Sequence, residues 1–577
     1  MKRKNTESNS IESNKNRKKI RNEKKINTDK EYVSGTMIRN YMINDSLVDW
    51  LNLYLVNIKK EPDLTLYLLI KGQEFERSIV NLISKKFPVV YVSNKANETT
   101  AKRTIELMKN GTPIIHSAPV YDKKLKLKGV IDLLVRSDYI NKLTEVPSIP
   151  EENERIGSSL NDNYHYIVID IKYSTIPLNV NDKTILNSGN YPAYKGQTLI
   201  YTKCINEIQG YFSPYSFILG RGWKSVNDKS TNSFNRLGMI DFIDKDRDII
   251  SKTENGIKWI RNVYNNGNEW KLFPPSRPEL YPNLCVDSGK WNDYKKEIAY
   301  KLGDISLLWN CGVKHRDNAI KNGVTSWRDV KCNSELLGLK GNIGKIVDRM
   351  ITVNTQHTEL IYPITIKNKK LIRNQNELFV DFETISNIFD DFSTLPLQNS
   401  TELIFMIGVG WETENGWNYK SFTCDRLSME EELRILTEFL EFMKKFNKPL
   451  VRYWYAEKNF WNRAKARHNS LNTKNINIKW SDFSTFFKKE NIVIKGCFSY
   501  KLKDIAENME KNGMITVSQK NNIYDNGIDA MYNAWKYYSD EMDNESCSDT
   551  IKNIEKYNDV DCKILYEMIK YFRNYYL

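Results

Sequence analysis

Two stretches of alternating strand-like and helix-like hydrophobic pattern bracket a more polar middle. Apolar positions recur at helical spacing over residues 36–60 and 66–86. Strand-like runs follow at Pro113–Tyr121, Lys126–Arg136 and Tyr166–Tyr173. A helix from about Tyr194 to Glu207 and a strand over Gly210–Leu219 complete a mixed domain, predicted to span 31–225. Residues 226–290 are polar, with Pro274, Pro275, Pro278 and Pro282 clustered, and read as a linker holding a short helix near Gly256–Tyr264. Residues 291–375 read as helices joined by short turns. The stretch Leu339–Gly344 within them is open to two readings: an ordinary helical spacer, or a helix-hairpin-helix-like hairpin that points backbone N–H groups at a phosphate. The last stretch, 376–577, opens on a strand at Leu378–Glu383, continues with one at Leu403–Gly410 and closes on a helix around Asn553–Phe572. The predicted class is a multidomain α/β protein, as a length of 577 residues requires.

Residues 1–30 carry eleven Lys/Arg against four Asp/Glu and almost no apolar periodicity, which predicts a disordered basic tail. The tail holds half of the chain's net charge of +14, so the body is only mildly basic. That balance is compatible with a nucleic-acid partner without requiring one. The clusters Lys2-Arg3-Lys4 and Arg17-Lys18-Lys19 resemble a bipartite nuclear localisation signal, or a solvated tail that adds nonspecific affinity. The eight cysteines form no C-x-x-C and read as reduced thiols of an intracellular protein, cytoplasmic or nuclear. No apolar run is long enough to span a membrane, and no signal peptide is expected.

Two constellations carry chemistry. The first has four pieces in order: Gly72 with Glu76 on a helix, Gly129 with Asp132 on an apolar strand, Asp170 with Lys172 on another, and Gln197 with Tyr201 on a helix. Strand alternation places Asp170 and Lys172 on one face, and helical spacing does the same for Gln197 and Tyr201. Asp132 and Asp170 together suit one hard cation, with Lys172 beside it to orient or deprotonate a water or to stabilise phosphorane charge. In the second, Asp381 and Glu383 sit two apart in an apolar strand, where two like charges repel unless a cation lies between them. Tyr557 and Asp561 are four apart on the last helix. Between them lies an acid, Glu457, at a strand-to-helix junction, with Asp482 as the other candidate or a helix N-cap.

The first set resembles the RecB-type branch of the PD-(D/E)XK nucleases, with G-x-x-x-E, G-x-x-D, (D/E)-x-K and Q-x-x-x-Y in that order over residues 34–222. The second resembles the DEDD exonucleases: D-x-E, a middle acid and Y-x-x-x-D over residues 376–577. It is most similar to the RNase H-like domain of YprB-type proteins, which is often fused to RecB-like nucleases. Arg452-Tyr453 stands where those relatives have His-Trp. The resemblance implies a restriction-endonuclease-like fold for the first domain and an RNase H-like fold for the last. It implies Mg²⁺ or Mn²⁺ at Asp132 and Asp170, and a pair of ions about 4 Å apart held by Asp381, Glu383, Glu457 and Asp561. Tyr557 would orient the attacking water, with 3′→5′ polarity. The cysteine spacing departs from that of relatives carrying an iron–sulfur cluster, and none is expected. The expected function is a metal-dependent nuclease acting on DNA or RNA, with DNA favoured and a role in repair, recombination or processing. The alternatives are an RNA-processing exonuclease, or a binding module whose nuclease sites are inactive. No G-x-x-x-x-G-K-[ST] is present, so unwinding would need a helicase or repair partner.

Overall fold

The computed structural model describes residues 31–576 except 58, 357–358, 367–370, 375, 472–477, 519–522, 525 and 540–543; the expected basic tail lies outside the described residues. The chain is an α/β multidomain protein with mixed sheets and many helices. Among the described residues, no helix is long and apolar enough to cross a membrane.

The first unit is built on a seven-stranded sheet. Its strands are β1 (Val33–Ser34), β2 (Val89–Tyr91), β3 (Ile114–Asp122), β4 (Leu127–Arg136), β5 (Tyr166–Ile171), β6 (Tyr215–Leu219) and β7 (Gly238–Asp241). The order is β7-β6-β5-β4-β3-β2, with β1 paired to the start of β4. Strands β3, β4 and β5 are antiparallel neighbours, and β5 and β6 run parallel. Every residue of β5 is buried, as a central strand covered on both faces must be. One cover is α1 (Asp63–Ser84), whose Phe75, Ile79 and Ile83 sit in the apolar layer with Ile167, Ile169 and Phe217. The other is α2 (Tyr191–Gln209), which carries Pro192 in its first turn and is capped by Gly210 in the left-handed conformation.

Residues 226–290 are not a linker. Strand β7 extends the sheet beyond β6, and α3 (Arg247–Asn266) buries Ile249, Ile257, Trp259, Ile260 and Val263 in the core of the first unit. The short helix expected at Gly256–Tyr264 is the second half of this longer one.

The segment expected to be a helical spacer is likewise part of a core. Helices α4 (Asn292–Leu302), α5 (Val313–Lys321) and α6 (Gly341–Thr355) share an apolar cluster with Phe483, Phe486, Ile505 and Phe572 of the last third. The hairpin reading of Leu339–Gly344 fails, because turns rather than a helix precede α6. Its Ile346, Val347 and Met350 point into the core, and Asp348 is held by Ser334.

The second sheet runs β10-β9-β8-β11-β12, comprising β8 (Glu377–Ile385), β9 (Leu403–Thr413), β10 (Gly416–Thr423), β11 (Leu450–Tyr453) and β12 (Lys479–Asp482). Strands β8, β9 and β10 form an antiparallel meander, while β11 and β12 add in parallel. Helix α7 (Met429–Met443) packs one face, and the long α11 (Asn544–Tyr576) crosses the other. Helices α8 (Glu457–Arg467), α9 (Leu502–Lys511) and α10 (Gly527–Tyr538) complete the unit.

The strap that leaves β8, residues 386–400, docks on the first unit. Tyr173 Oη donates to Ile388 O at 2.7 Å, and the Arg221 guanidinium donates to Gln398 Oε1 and Ser400 Oγ at 3.2 Å. Phe392 meets Phe75 and Tyr173, and Tyr67 of α1 packs on Phe389 and on Trp535 of α10.

Candidate functional site

In the first unit the structure brings the expected residues to one place. Asp170, fully buried near the end of β5, has Lys172 Nζ at 2.6 Å and accepts from Gln197 Nε2 at 3.1 Å. Gln197 also donates to Tyr201 Oη at 3.1 Å, so the Q-x-x-x-Y face of α2 lies over the acid. Asp132 on β4 accepts from the Ile171 backbone N–H at 2.7 Å. Glu76 of α1 pairs with His116 at 3.2 Å, and its charge reaches both Asp132 and Asp170. Burial, then the neighbouring Asp170, pushes the Asp132 carboxyl well up; burial raises Asp170 as well, against the pull of Lys172. Burial works against the Lys172 charge, yet Asp170 and Asp132 outweigh it and hold that ammonium protonated above its ordinary range.

Two glycines make this packing fit. A Cβ on Gly129 would lie 2.3 Å from Tyr201 Cε1, and one on Gly35 would lie 2.7 Å from Gln197 Cγ. Gly72, the other glycine of the sequence pattern, has open space around it. Gly129→Ala is therefore expected to destabilise the chain by about 1–3 kcal/mol through overpacking. Gly72→Ala, inside α1, is expected to stabilise it by about 0.5–1 kcal/mol. Denaturant titration of the two variants checks the pair, and equal shifts would contradict the packing argument.

In the last third, Asp381 and Glu383 project from the central strand β8 toward α11. Asn558 Nδ2 bridges them, at 2.9 Å from Asp381 Oδ2 and 3.2 Å from Glu383 Oε1. Gly408 lies opposite Asp381 in the ladder, and a Cβ there would fall 1.6 Å from Asn558 Oδ1, so only glycine admits the bridge. The ladder shifts register just after Glu383, a bulge of the kind that re-aims side chains. Tyr557 and Asp561 are hydrogen-bonded to each other on α11. Lys503 of α9 stands 4.2 Å from the Tyr557 ring centroid, and its charge tempers both β8 acids.

Glu457 opens α8, is 6 % exposed and accepts from the Ala456 N–H at 3.2 Å. Its charge acts on Asp381. Asp482 instead accepts from the backbone N–H groups of Ser484 and Tyr455, at 2.8 and 3.2 Å, and presses on Glu457. Arg452, which stands where the resembled relatives have His, is buried in an ion pair with Glu377.

Sequence reasoning missed Asn558, Lys503 and His116. Asn558 had a signal: a helix face carrying Ile554, Tyr557 and Asp561 also carries position 558. Lys503 and His116 had none, since only tertiary packing brings them in.

Burial, with Asp561 adding, lifts the Glu383 carboxyl to about 7; burial, with Asp482 adding, lifts Glu457 to about 8; and burial with three acid neighbours raises Asp381 well up. Without a cation, the folded chain holds protons that the unfolded chain, with an ordinary glutamate near 4.5, has released. The contribution of these carboxyls to stability is then fullest below about 4.5 and is lost as pH rises through about 8. Scanning calorimetry in EDTA is expected to show a lower Tm at about pH 8.5 than at about pH 6, and Mg²⁺ should close the gap. A gap that Mg²⁺ leaves unchanged would refute a cation among these acids.

Among the described residues, no group of three or more Asp, Glu, His or Cys side chains is placed to hold a metal ion. The acids approach in pairs. Mg²⁺ is commonly held by one or two carboxylates together with substrate phosphate and water, and the donors here are all carboxylate oxygens, so the residues fit a hard cation. Fold and acid sets together define a multidomain α/β protein with two separate buried carboxylate centres. No family model matches the sequence, and no curated protein matches it either.

Proposed function

We propose that this chain is a metal-dependent nuclease that hydrolyses phosphodiester bonds of nucleic acid at two centres, the first PD-(D/E)XK-like and the second of the DEDD kind on an RNase H-like fold. The observation that carries the reading is the second centre. Two acids on a central strand are bridged by one asparagine, and the charges of Asp561 and Glu457 add to theirs. A structural role does not call for acids gathered away from water against their own repulsion.

Asp132 and Asp170 would hold the divalent ion of the first centre, and Asp381, Glu383, Glu457 and Asp561 those of the second. When bound, Mg²⁺ or Mn²⁺ supplies Lewis-acid polarisation and a water of lowered pKa. The remaining chemistry belongs to the chain. Lys172, 2.6 Å from Asp170, donates to negative charge developing on phosphate. Gln197 fixes the Asp170 carboxylate, Asn558 fixes Asp381 and Glu383, and Tyr557 orients water.

End-labelled single- and double-stranded DNA and RNA, incubated with Mg²⁺, test the reading. Metal-dependent product that EDTA abolishes is the expected result, with DNA the favoured substrate. Tight retention of the strands with no product at any metal concentration would instead make the chain a binding module.

A further inference from the structure

Between α4 and α9 lies a cleft of about 1120 Å³, which none of the carboxylates of either centre lines. It exceeds the roughly 300–1,000 Å³ of a pocket that encloses one small molecule. Three aromatic side chains line it: Tyr300, Trp309 and Phe498. Tyr300 meets Phe498 edge-on across the cleft, at 6.0 Å between centroids, and Trp309 meets the buried Tyr500 edge-on at 4.9 Å.

The charges of the lining nearly cancel. Lys296 spans the walls to Asp504 at 3.8 Å, and Lys511 pairs with Glu507 at 2.7 Å. Lys295 is turned to the buried Asp45, Asp287 adds an exposed carboxylate, and Lys501 stands exposed at the start of α9. A near-neutral aromatic trough is a poor seat for a duplex backbone, whose affinity comes from phosphate neutralisation. Unpaired bases, every one of which offers a π-face, can instead stack on its aromatic side chains, with the exposed Lys501 beside them for a phosphate.

The cleft also leads somewhere. The Tyr500 carbonyl accepts from Trp454 Nε1 at 3.2 Å, and Trp454 lies just ahead of Glu457. Two residues past Lys501, Lys503 stands over the Tyr557 ring. The start of α9 therefore has the cleft on one flank and the second carboxylate centre on the other.

We propose that this cleft is a stacking trough for single-stranded nucleic acid, in which Tyr300, Trp309 and Phe498 take bases and Lys501 a phosphate, and which feeds a strand to the centre at Asp381. Delivery rests on the nuclease reading; binding in the trough does not.

The test is fluorescence anisotropy in EDTA with labelled single strands of about 12 nucleotides, DNA and RNA, and the matching duplex. Trp309→Ala is expected to weaken single-strand binding about tenfold or more and to leave duplex binding alone, while Trp309→Phe stays within about threefold of the parent. Lys501→Gln should reduce the salt dependence of binding by about one phosphate contact. With Mg²⁺, turnover of the p-nitrophenyl ester of thymidine monophosphate, too short to reach the trough, should change less than about twofold in every variant. If Trp309→Ala unfolds, the Lys501→Gln salt slope decides. Single-strand binding and salt slope unchanged in the folded variants overturn the trough, even where the parent hydrolyses both substrates. The expected losses of binding in the variants, with a parent that hydrolyses neither substrate, support the trough and sink the nuclease reading instead.

Discussion

Asp381→Asn is expected to lower Mg²⁺-dependent hydrolysis at the second centre by about a thousandfold or more, while raising the melting temperature of the metal-free chain. The two effects share one cause. Asp381 sits on the central strand with Glu383 beside it and Asp561 and Glu457 within electrostatic reach, and burial is the largest contribution to its raised pKa. The neutral amide removes one charge from that repulsion and, where the carboxyl would have stayed protonated, removes the need to hold the proton. It also keeps the side chain's shape, so the layer between β8 and α11 is not opened. A gain of 1 kcal/mol corresponds to about 2–4 °C in a unit of 150–250 residues. The rise should be greatest at high pH and should vanish in saturating Mg²⁺, where the parent is stabilised and the variant is not. Activity is best read in an Asp170→Asn background, so that the first centre does not mask the loss. A variant that is destabilised in EDTA, or that keeps full activity, would show Asp381 to be a structural acid. Such opposed changes in activity and stability are the mark of residues kept for function at a cost to the fold.

What the sequence disclosed follows from which physical signals are local. Strand alternation predicted that Asp170 and Lys172 share a face, and the 2.6 Å contact lies where that rule places it. The same rule put Asp381 and Glu383 side by side, and one asparagine touches both. Gly129 was legible as part of a pattern, but its reason, the Tyr201 ring filling the space of a Cβ, comes from a helix some seventy residues later. The reading failed in 226–290 because polar residues outnumbered a real helical stripe. Ile249, Thr253, Ile257, Ile260 and Val263 recur at helical spacing, while the outward face of α3 is charged. Strand β7 is a short edge strand, which needs little hydrophobic signal. The helical middle was misjudged for another reason. Each of its helices is amphipathic, but no local period records that the partner surface is formed by residues 483–572. The docking of residues 386–400 beside Tyr173, through Arg221, is of the same kind. That strap continues directly from the strand of Asp381 and Glu383 and meets Tyr173, the residue after Lys172, at Ile388, so the two carboxylate strands are tied by one short segment.

Lys172→Met makes the opposite prediction at the first centre. Hydrolysis there is expected to fall about a hundredfold or more, because the donor proposed for charge developing on phosphate would be gone. Here, however, the metal-free chain should lose stability. The first centre carries its own countercharge, with Lys172 Nζ 2.6 Å from a fully buried carboxylate, whereas at the second the charge of Lys503 lowers the Asp381 pKa without offsetting burial and three acid neighbours. Removing one member of a buried pair leaves the other uncompensated, a loss of up to about 3 kcal/mol here, below the fully buried limit because 20 % of the Lys172 side chain is exposed. Burial already raises Asp170, and without Lys172 it is driven further toward its protonated form, so the loss should deepen as pH rises and shrink in acid. Asp170→Asn on its own leaves Lys172 facing Asp132. The double variant, Asp170→Asn with Lys172→Met, replaces the pair by neutral side chains and should recover most of the stability while staying inactive at this centre. A thermodynamic cycle over the four proteins in EDTA therefore separates the two roles of the pair. A coupling energy near zero would mean that Lys172 does not neutralise Asp170, and the assignment of this lysine to phosphate charge would fall with it.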